Sequence, residues 1–432
     1  MTPEDPDVII IGGGASGMMC AGIIARAGKQ VLLIEKNPEL GKKLSISGGG
    51  RCNITNAEFD TRVFLSNFPK AAKFLHSPFS KFSSRDTFSF FEKRGLPLVT
   101  ESRKRTFPAS QRATDVVAAL KKDLHAPYVT ILTGTEIKSF TKEEGRITGV
   151  LTRSGTRYHA PYIVLATGGL AAPETGSTGD GFRMLRDTDH SVAESNPNVV
   201  PLKTNAKWVH RLSGTSHSFM EIRFSLNRVT KIKKKGKILF THFGISGPLV
   251  LNLASQVRGL LKRGPVHAEI NLFPDTNAGD LDKRLVRLFD KNKNKKLRNV
   301  LPEMLPKNLA HTVIYLADPS LGEVSVHSVS KEGRKRLVKT MQTLGFMITG
   351  TLGMGRAVIA DGGIELEEVN FSNMTSRSHP NLYLLGDILN INRPTGGYSL
   401  QLCWTTAWVA AKDLIVRLES EDTQDTVDES DK

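Results

Sequence analysis

The stretch VIIIGGGASGMMCAGIIARAGKQVLLIEK, residues 8–36, decides how the rest of the chain is read. Val8–Ile11 is apolar throughout, the pattern of a strand covered on both faces. Gly12, Gly14 and Gly17 then form G-x-G-x-x-G, helix formers run to Ala27, and Gly28 stands where a helix C-cap belongs. Val31–Ile34 is a second apolar strand and ends at Glu35. In such a unit Gly12 makes the tight turn, Gly14 lets a pyrophosphate approach the backbone, and Gly17 lets helix and strand pack closely. The N–H groups around Ala15 and Ser16, at the positive end of the helix dipole, favour an anion. Glu35, about 20 residues past the glycines, suits a ribose 2′-hydroxyl and repels a 2′-phosphate. All five features fall in one register, so the segment predicts a βαβ unit that holds FAD or NAD.

A chain of 432 residues predicts two or three domains with ample core. With 39% hydrophobic and 24% charged residues, it reads as soluble and globular, not membrane-spanning or disordered. No apolar run reaches the roughly 18 residues of a bilayer span. Met1–Asp7 carries acids and prolines where a signal peptide carries cations. Cys20, Cys52 and Cys403 have neither disulfide nor zinc spacing, which points to a reducing cytoplasm and predicts no metal site. A monomer without membrane contact is the expectation. The net charge is +16, and the tail Glu419–Lys432 holds seven acids and one lysine, so the body ahead of it carries about +22. That excess favours a polyanionic partner through counterion release, with a merely solvated face as the alternative.

The α/β pattern covers residues 1–195. Short alternating strands with basic turns, Met220–Leu226 and Val229–Lys235 among them, mark a β-rich insert over 196–274. A Lys/Arg-rich helical pattern follows over 275–340, read as a small helical subdomain. Over 341–418 the chain returns through the insert to the FAD-binding domain, the glycine-rich α/β style resuming near Thr349, with Leu382–Leu385 as one more apolar strand and Ser399–Leu418 as the last helix. Residues 419–432 read as an acidic, disordered tail.

Ala166-Thr167-Gly168-Gly169 and Gly386-Asp387 also close apolar strands. Ligands of open α/β sheets bind beyond the carboxyl ends of the strands, so three distant segments are expected to meet at one cofactor. Asp387 suits a ribityl hydroxyl. The helix opening at Gly397 suits the pyrimidine end of an isoalloxazine, whose negative charge in the reduced state its dipole would stabilise. A nicotinamide alone has no use for this second acidic strand end, which favours FAD. No second G-x-G-x-x-G offers a nicotinamide domain, so NAD(P)H is expected only as a transient reductant.

The segments SGGGRCNITN (47–56), LATGG (165–169), STGDG (177–181), ILFTHFGISGP (238–248) and GDILNINRPTGGYSLQ (386–401) together resemble the YhiN/BaiN-type bacterial flavoprotein family. The resemblance covers nearly the whole chain apart from the tail. It implies a Rossmann-like FAD-binding domain with a parallel sheet, interrupted by an inserted β-barrel-like domain and a small helical one. By the same resemblance FAD contacts fall on Gly12, Gly14, Gly17, Glu35, Lys36, Ser47, Gly49, Arg51, Asn53, Thr167, Gly168, Gly386, Asp387, Gly397, Tyr398 and Gln401. Ala15, Ser16, Lys43, Gly48, Ile137, Ala166 and Ser399 complete the candidate set. One departure is Thr349-Gly350-Thr351-Leu352-Gly353, where the family shows Thr-x-Gly-Gly-Val. The resemblance implies flavin redox chemistry, with ribosomal RNA uridine, bile-acid enones or aminoacetone as substrate classes. A protein that keeps FAD structurally is the alternative from another class.

Cys52 follows Arg51 in a polar, glycine-rich loop, where a neighbouring cation lowers a thiol pKa. That makes Cys52 a candidate proton donor with Arg51 as its partner, or else a thiol packed beneath the cofactor. Cys20 and Cys403 read as small packed hydrophobes. His242 lies in a loop between apolar segments, as general acid or carbonyl-orienting group, or as a histidine bonded to backbone. Lys203–Phe240 holds ten Lys/Arg against Glu221 alone. Lys231, Lys233, Lys234, Lys235 and Lys237 are the densest run, read as contacts to RNA phosphates without sequence specificity. Aromatic residues are sparse there, and the sequence offers no stacking platform.

Overall fold

The apolar runs pair as strands of one sheet. In chain order β1 (Val8–Ile11), α1 (Ala15–Ala25), β2 (Val31–Ile34), β3 (Val129–Leu132) and β4 (Tyr162–Leu165) build its centre. The order across the sheet is Val369–Asn370, Thr375–Ser376, Leu382–Leu384, β4, β1, β2, β3. From Leu382–Leu384 to β3 the pairing is parallel, with Ile10 beside Val164 on one side and Leu33 on the other. The four side chains of β1 and the four of β2 are all buried, so neither strand alternates. Each such side chain contributes about 1.5–3 kcal/mol of transfer free energy.

The computed structural model describes residues 6–124, 127–353 and 359–430, the side chains of 195–198, 359–361 and 423–430 excepted. The chain divides into two units, Met1–Pro197 with Val358–Lys432 and Asn198–Ala357. In the first unit the terminal helix, Tyr398–Ser430, packs along α1. It outruns the expected Ser399–Leu418 and passes through the acidic stretch read as disordered. The reason lies in its partners: Lys29 pairs with Asp422, and Tyr162 donates to Glu421 at 2.5 Å. Among the described residues no helix is long and apolar enough to cross a membrane.

The second unit holds a seven-stranded antiparallel sheet that includes β5 (Ser216–Leu226), β6 (Val229–Thr241) and β7 (Val266–Asn271). Its order is Leu344–Ile348, β7, β5, β6, Gly244–Ser246, Leu202–Lys203, Gly350–Thr351. The two outermost strands are consecutive in the chain, separated by Thr349, whose N–H donates to the Lys203 carbonyl at 2.9 Å. The sheet therefore curls until its edges meet. The departing segment Gly350–Thr351 is the closing strand, paired with Leu202–Lys203.

The helices over 278–342 do not form a subdomain with its own core. Leu285, Val313 and Leu337 are buried in the same cluster as Phe224 and Ile270 of the sheet. Their polar, basic pattern describes the outer face; the apolar stripe closes the sheet. The unit extends to Ala357, because Leu344–Ile348 and Gly350–Thr351 belong to its sheet.

Candidate functional site

At the carboxyl end of β1 the backbone turns at Gly12, with φ +105°. A Cβ on Gly12 would lie 2.6 Å from the Ala166 carbonyl oxygen, and one on Gly17 would lie 1.9 Å from the Gly12 oxygen. These two glycines let β1, β4 and α1 touch. Gly14 is different: a Cβ there would meet nothing within 4 Å. It is the N-cap of α1, with no capping side chain and no acid in the first turn. An uncapped helix start beside open space is an anion site.

Glu35 is fixed beside this turn. One carboxylate oxygen accepts from the Gly13 N–H at 2.7 Å and the other from the Asn37 N–H at 2.8 Å. Lys36 reaches Asp180 at 2.6 Å. Lys43 lies 3.3 Å from Asp387 and 3.5 Å from the Ser177 hydroxyl. Gly386, at φ +66°, sits so close to α1 that a Cβ would lie 2.5 Å from the Ser16 hydroxyl. Ser399 bonds to Asp387. Thus Gly12–Gly17, Glu35–Lys43, Ala166–Gly168, Ser177–Asp180 and Gly386–Ser399 come together, although more than 350 residues of chain separate the first from the last.

The sequence profile of the HI0933-like protein Rossmann domain matches residues 6–413. The chain belongs to the HI0933-like family. Over 96% of its length it is 29% identical to the ribosomal RNA dihydrouridine synthase of Escherichia coli, covering 99% of that protein. Over 93% it is 28% identical to the 3-dehydro-bile acid delta(4,6)-reductase of Clostridium scindens, covering 97% of that one. The 3-ketosteroid delta1-dehydrogenase of Sterolibacterium denitrificans shares the fold, with a TM-score of 0.54 at 12% identity over 96% of this chain and all of that one. This HI0933-like protein is an FAD-dependent oxidoreductase.

The residues gathered there fit that cofactor. Among the described residues, Asn53 Oδ1 and Thr167 Oγ1 are buried without a hydrogen-bond partner, which is uncommon for such atoms in folded proteins. Open space surrounds Gly14, Gly49 and Gly50. Ribose and ribityl hydroxyls and a pyrophosphate supply the missing partners for groups of these kinds.

Asp387 is held in place by several partners. Burial alone would raise its carboxyl pKa, but the cations Arg393 and Lys43 and bonds from Lys43 and Ser399 hold it below the usual aspartate range. Arg393 is 1% exposed, lies 3.1 Å from Asp387, and donates to the carbonyls of Gly386 at 3.2 Å and Leu389 at 3.1 Å. The sequence reading missed Arg393. Its signal was a lone cation in the otherwise uncharged stretch 388–401. Ser177 and Asp180 were quoted in STGDG without a role.

Other candidates are placed differently. Gln401 is fully buried, its amide oxygen accepting from Thr55 at 2.5 Å and Thr87 at 2.9 Å while its nitrogen donates to Thr405. Its side chain ties the terminal helix to the strand Thr55–Asn56. Gly397 opens that helix as expected, yet its close approach is to Thr55, whose carbonyl carbon a Cβ would meet at 2.2 Å. The Tyr398 ring packs on Phe64 at 4.9 Å. The Ile137 side chain is buried in the core.

The expected activation of Cys52 by Arg51 is overturned. Gly48, Gly49, Gly50 and Cys52 all take positive φ, folding the loop so that Cys52 points inward, 0% exposed. Burial pushes its thiol up to about 12, with a Ser47 hydrogen bond pulling the other way. Arg51 turns instead to Glu101 and Gln111 and lies 4.2 Å over the Phe107 ring. Cys52 is therefore a neutral thiol at physiological pH. Burial pushes Cys403 up to about 12 and raises Cys20 as well. Accordingly, iodoacetamide at pH 8 is expected to label none of the three cysteines in the native protein and all three in urea, read by mass spectrometry. Rapid native labelling of Cys52 would restore it as an activated thiol.

His242 and the lysine run lie in the second unit. His242 and Phe243 form the two-residue turn between β6 and Gly244–Ser246, with the histidine ring exposed against Phe243. The five lysines lie along β6, interrupted by buried Ile232 and Gly236.

Proposed function

We propose that this HI0933-like protein reduces the C5=C6 bond of a uridine in ribosomal RNA. FAD held there would supply the hydride for the β-carbon of the conjugated carbonyl, with NADH or NADPH as the external reductant. The chain's own residues bind and orient: the α1 start takes the pyrophosphate, Glu35 the adenosine ribose, and Asp387 the ribityl chain. A proton must reach the α-carbon, and a positioned acid or ordered water supplies it. Presenting uracil to the flavin requires extruding the base, at a cost of a few kcal/mol.

The observation that carries this reading is β6. Lys231, Lys233, Lys234, Lys235 and Lys237 are all exposed along one strand. A steroid-sized acceptor needs no such row, whereas RNA phosphates do. The 29% identity over the full length of a ribosomal RNA dihydrouridine synthase supports the same substrate class. Such a substrate implies a cytoplasmic enzyme, and His242 is retained as a candidate acid. Nucleoside mass analysis of ribosomal RNA from a strain lacking the gene is expected to show one dihydrouridine lost and restored by the wild-type copy. Unchanged dihydrouridine overturns the reading. The comparable identity to a bile acid reductase favours enone reduction as the second reading. Turnover of 3-oxo-Δ4 enones with NAD(P)H, alongside unchanged rRNA, would select it.

A further inference from the structure

The second unit exposes one aromatic side chain far beyond its neighbours. Phe219 is 75% exposed, whereas Met220 beside it is fully buried. Its backbone has φ +63°, a left-handed conformation unfavourable to a bulky L-residue. The cause is a β-bulge. His217 pairs with Ile238 and Met220 with Gly236, so Ser218 and Phe219 together face Lys237. A bulge re-aims a side chain, and strain of this kind persists where the surrounding structure imposes it. Here both neighbours of the bulge, His217 and Met220, are anchored in the β5–β6 ladder. Nothing in the core gains from the arrangement: the phenyl ring is turned out to water.

The strand opposite the bulge is rich in cations. Lys237 lies across from the bulge, and Lys235 and Lys234 follow on the same strand, all exposed. Further along, Glu221 takes Arg223 at 2.8 Å and Lys233 at 3.4 Å. Asp275 takes Lys235. An apolar protein partner would not be met by a lysine row. A flat aromatic face with phosphate-binding cations one strand away is the composition that binds unpaired nucleotides, the base stacked and the backbone held.

We propose that Phe219 is a stacking platform for an unpaired base of the RNA, with Lys237 holding an adjacent phosphate. The proposal departs from the expectation that the lysine region offers no such platform, and it rests on the RNA reading above. The platform takes single-stranded segments, because a duplex offers phosphates but no free base face. It does not read sequence, since every base has a π-face.

The test is fluorescence anisotropy of the full-length holoprotein with a single-stranded oligouridine and with an RNA duplex of equal length, over a salt series. Phe219→Ala is expected to weaken single-strand binding about tenfold, leave duplex binding unchanged, and keep the same salt slope. Phe219→Trp is expected to restore it. Lys237→Gln is expected to lower the slope of log K against log salt by about 0.7 for the single strand. Phe219→Gly, which relieves the left-handed strain, is expected to melt no lower than wild type and still lose single-strand affinity, separating binding from folding. Wild-type affinity in Phe219→Ala, or equal weakening on duplex and single strand, overturns the platform while RNA binding stands. A wild-type protein that binds neither RNA overturns the RNA reading itself.

Discussion

Gly14→Ala is expected to fold as the wild type does and to purify without flavin, whereas Gly17→Ala is expected to lose the fold. The two positions lie three residues apart in one motif, but they differ in what a methyl group would meet. At Gly17 it would be driven to 1.9 Å from the carbonyl oxygen of Gly12, a residue fixed at the end of β1 by its N–H bond to Ile34 at 2.8 Å. Overpacking costs about 1–3 kcal/mol when side chains can yield, and a backbone clash at the central strand lies at or above that range. At Gly14 the methyl would meet no protein atom within 4 Å, and φ is −82°, a value alanine adopts freely. Gly→Ala at such a site stabilises by about 0.4–1 kcal/mol through the unfolded chain. The space it fills is where the pyrophosphate must lie against the helix start. Thermal melts together with flavin absorbance of the purified proteins decide this. Stoichiometric FAD in Gly14→Ala would remove the pyrophosphate from the α1 start.

Arg393→Met is expected to cost about 2–3 kcal/mol of stability, because it takes the buried cation from Asp387, which then keeps only Lys43 and Ser399. Two carbonyls, of Gly386 and Leu389, lose their donor at the same time. Asp387→Asn combined with Arg393→Met is expected to recover part of the loss, since no carboxylate short of its buried cation is then left. The pH dependence has a definite sign. Asp387 has its pKa lowered in the folded state, so between its folded and unfolded values the folded protein binds fewer protons. Its contribution is present above the unfolded value of about 3.9 and is lost as pH falls through the folded one. In urea titrations the stability gap between wild type and Arg393→Met should therefore narrow as the pH is lowered below about 4. A constant gap down to acid denaturation would sink the pairing argument.

Much of the first unit was legible because its signals are local. Four-residue apolar strands, glycines at fixed spacing and a terminal acid report backbone geometry that neighbouring residues impose on each other. The meeting of Gly12, Thr167 and Asp387 followed from one rule about strand ends. The two readings of Cys52 stayed open because its orientation depends on four left-handed residues in a row of five, and no single residue type announces an inward turn. Arg393 was missed because a buried arginine is defined by its partners, here Asp387 and two carbonyls, and those are brought to it only by folding. Phe219 was hidden for a similar reason: its outward direction comes from a register slip between β5 and β6, not from the period-two pattern of its strand.

By itself, then, the sequence determined that this protein builds a parallel α/β sheet, that its strand-end glycines and acids suit a dinucleotide, and that the excess cations gather in an insert. Those properties are set by composition and by spacings within a single element. Only the tertiary structure decided which polar groups are left for the cofactor, which thiol is inert, and which aromatic faces water. These depend on burial and on pairings between residues far apart in the chain, where desolvation and backbone register, not residue type, fix the outcome.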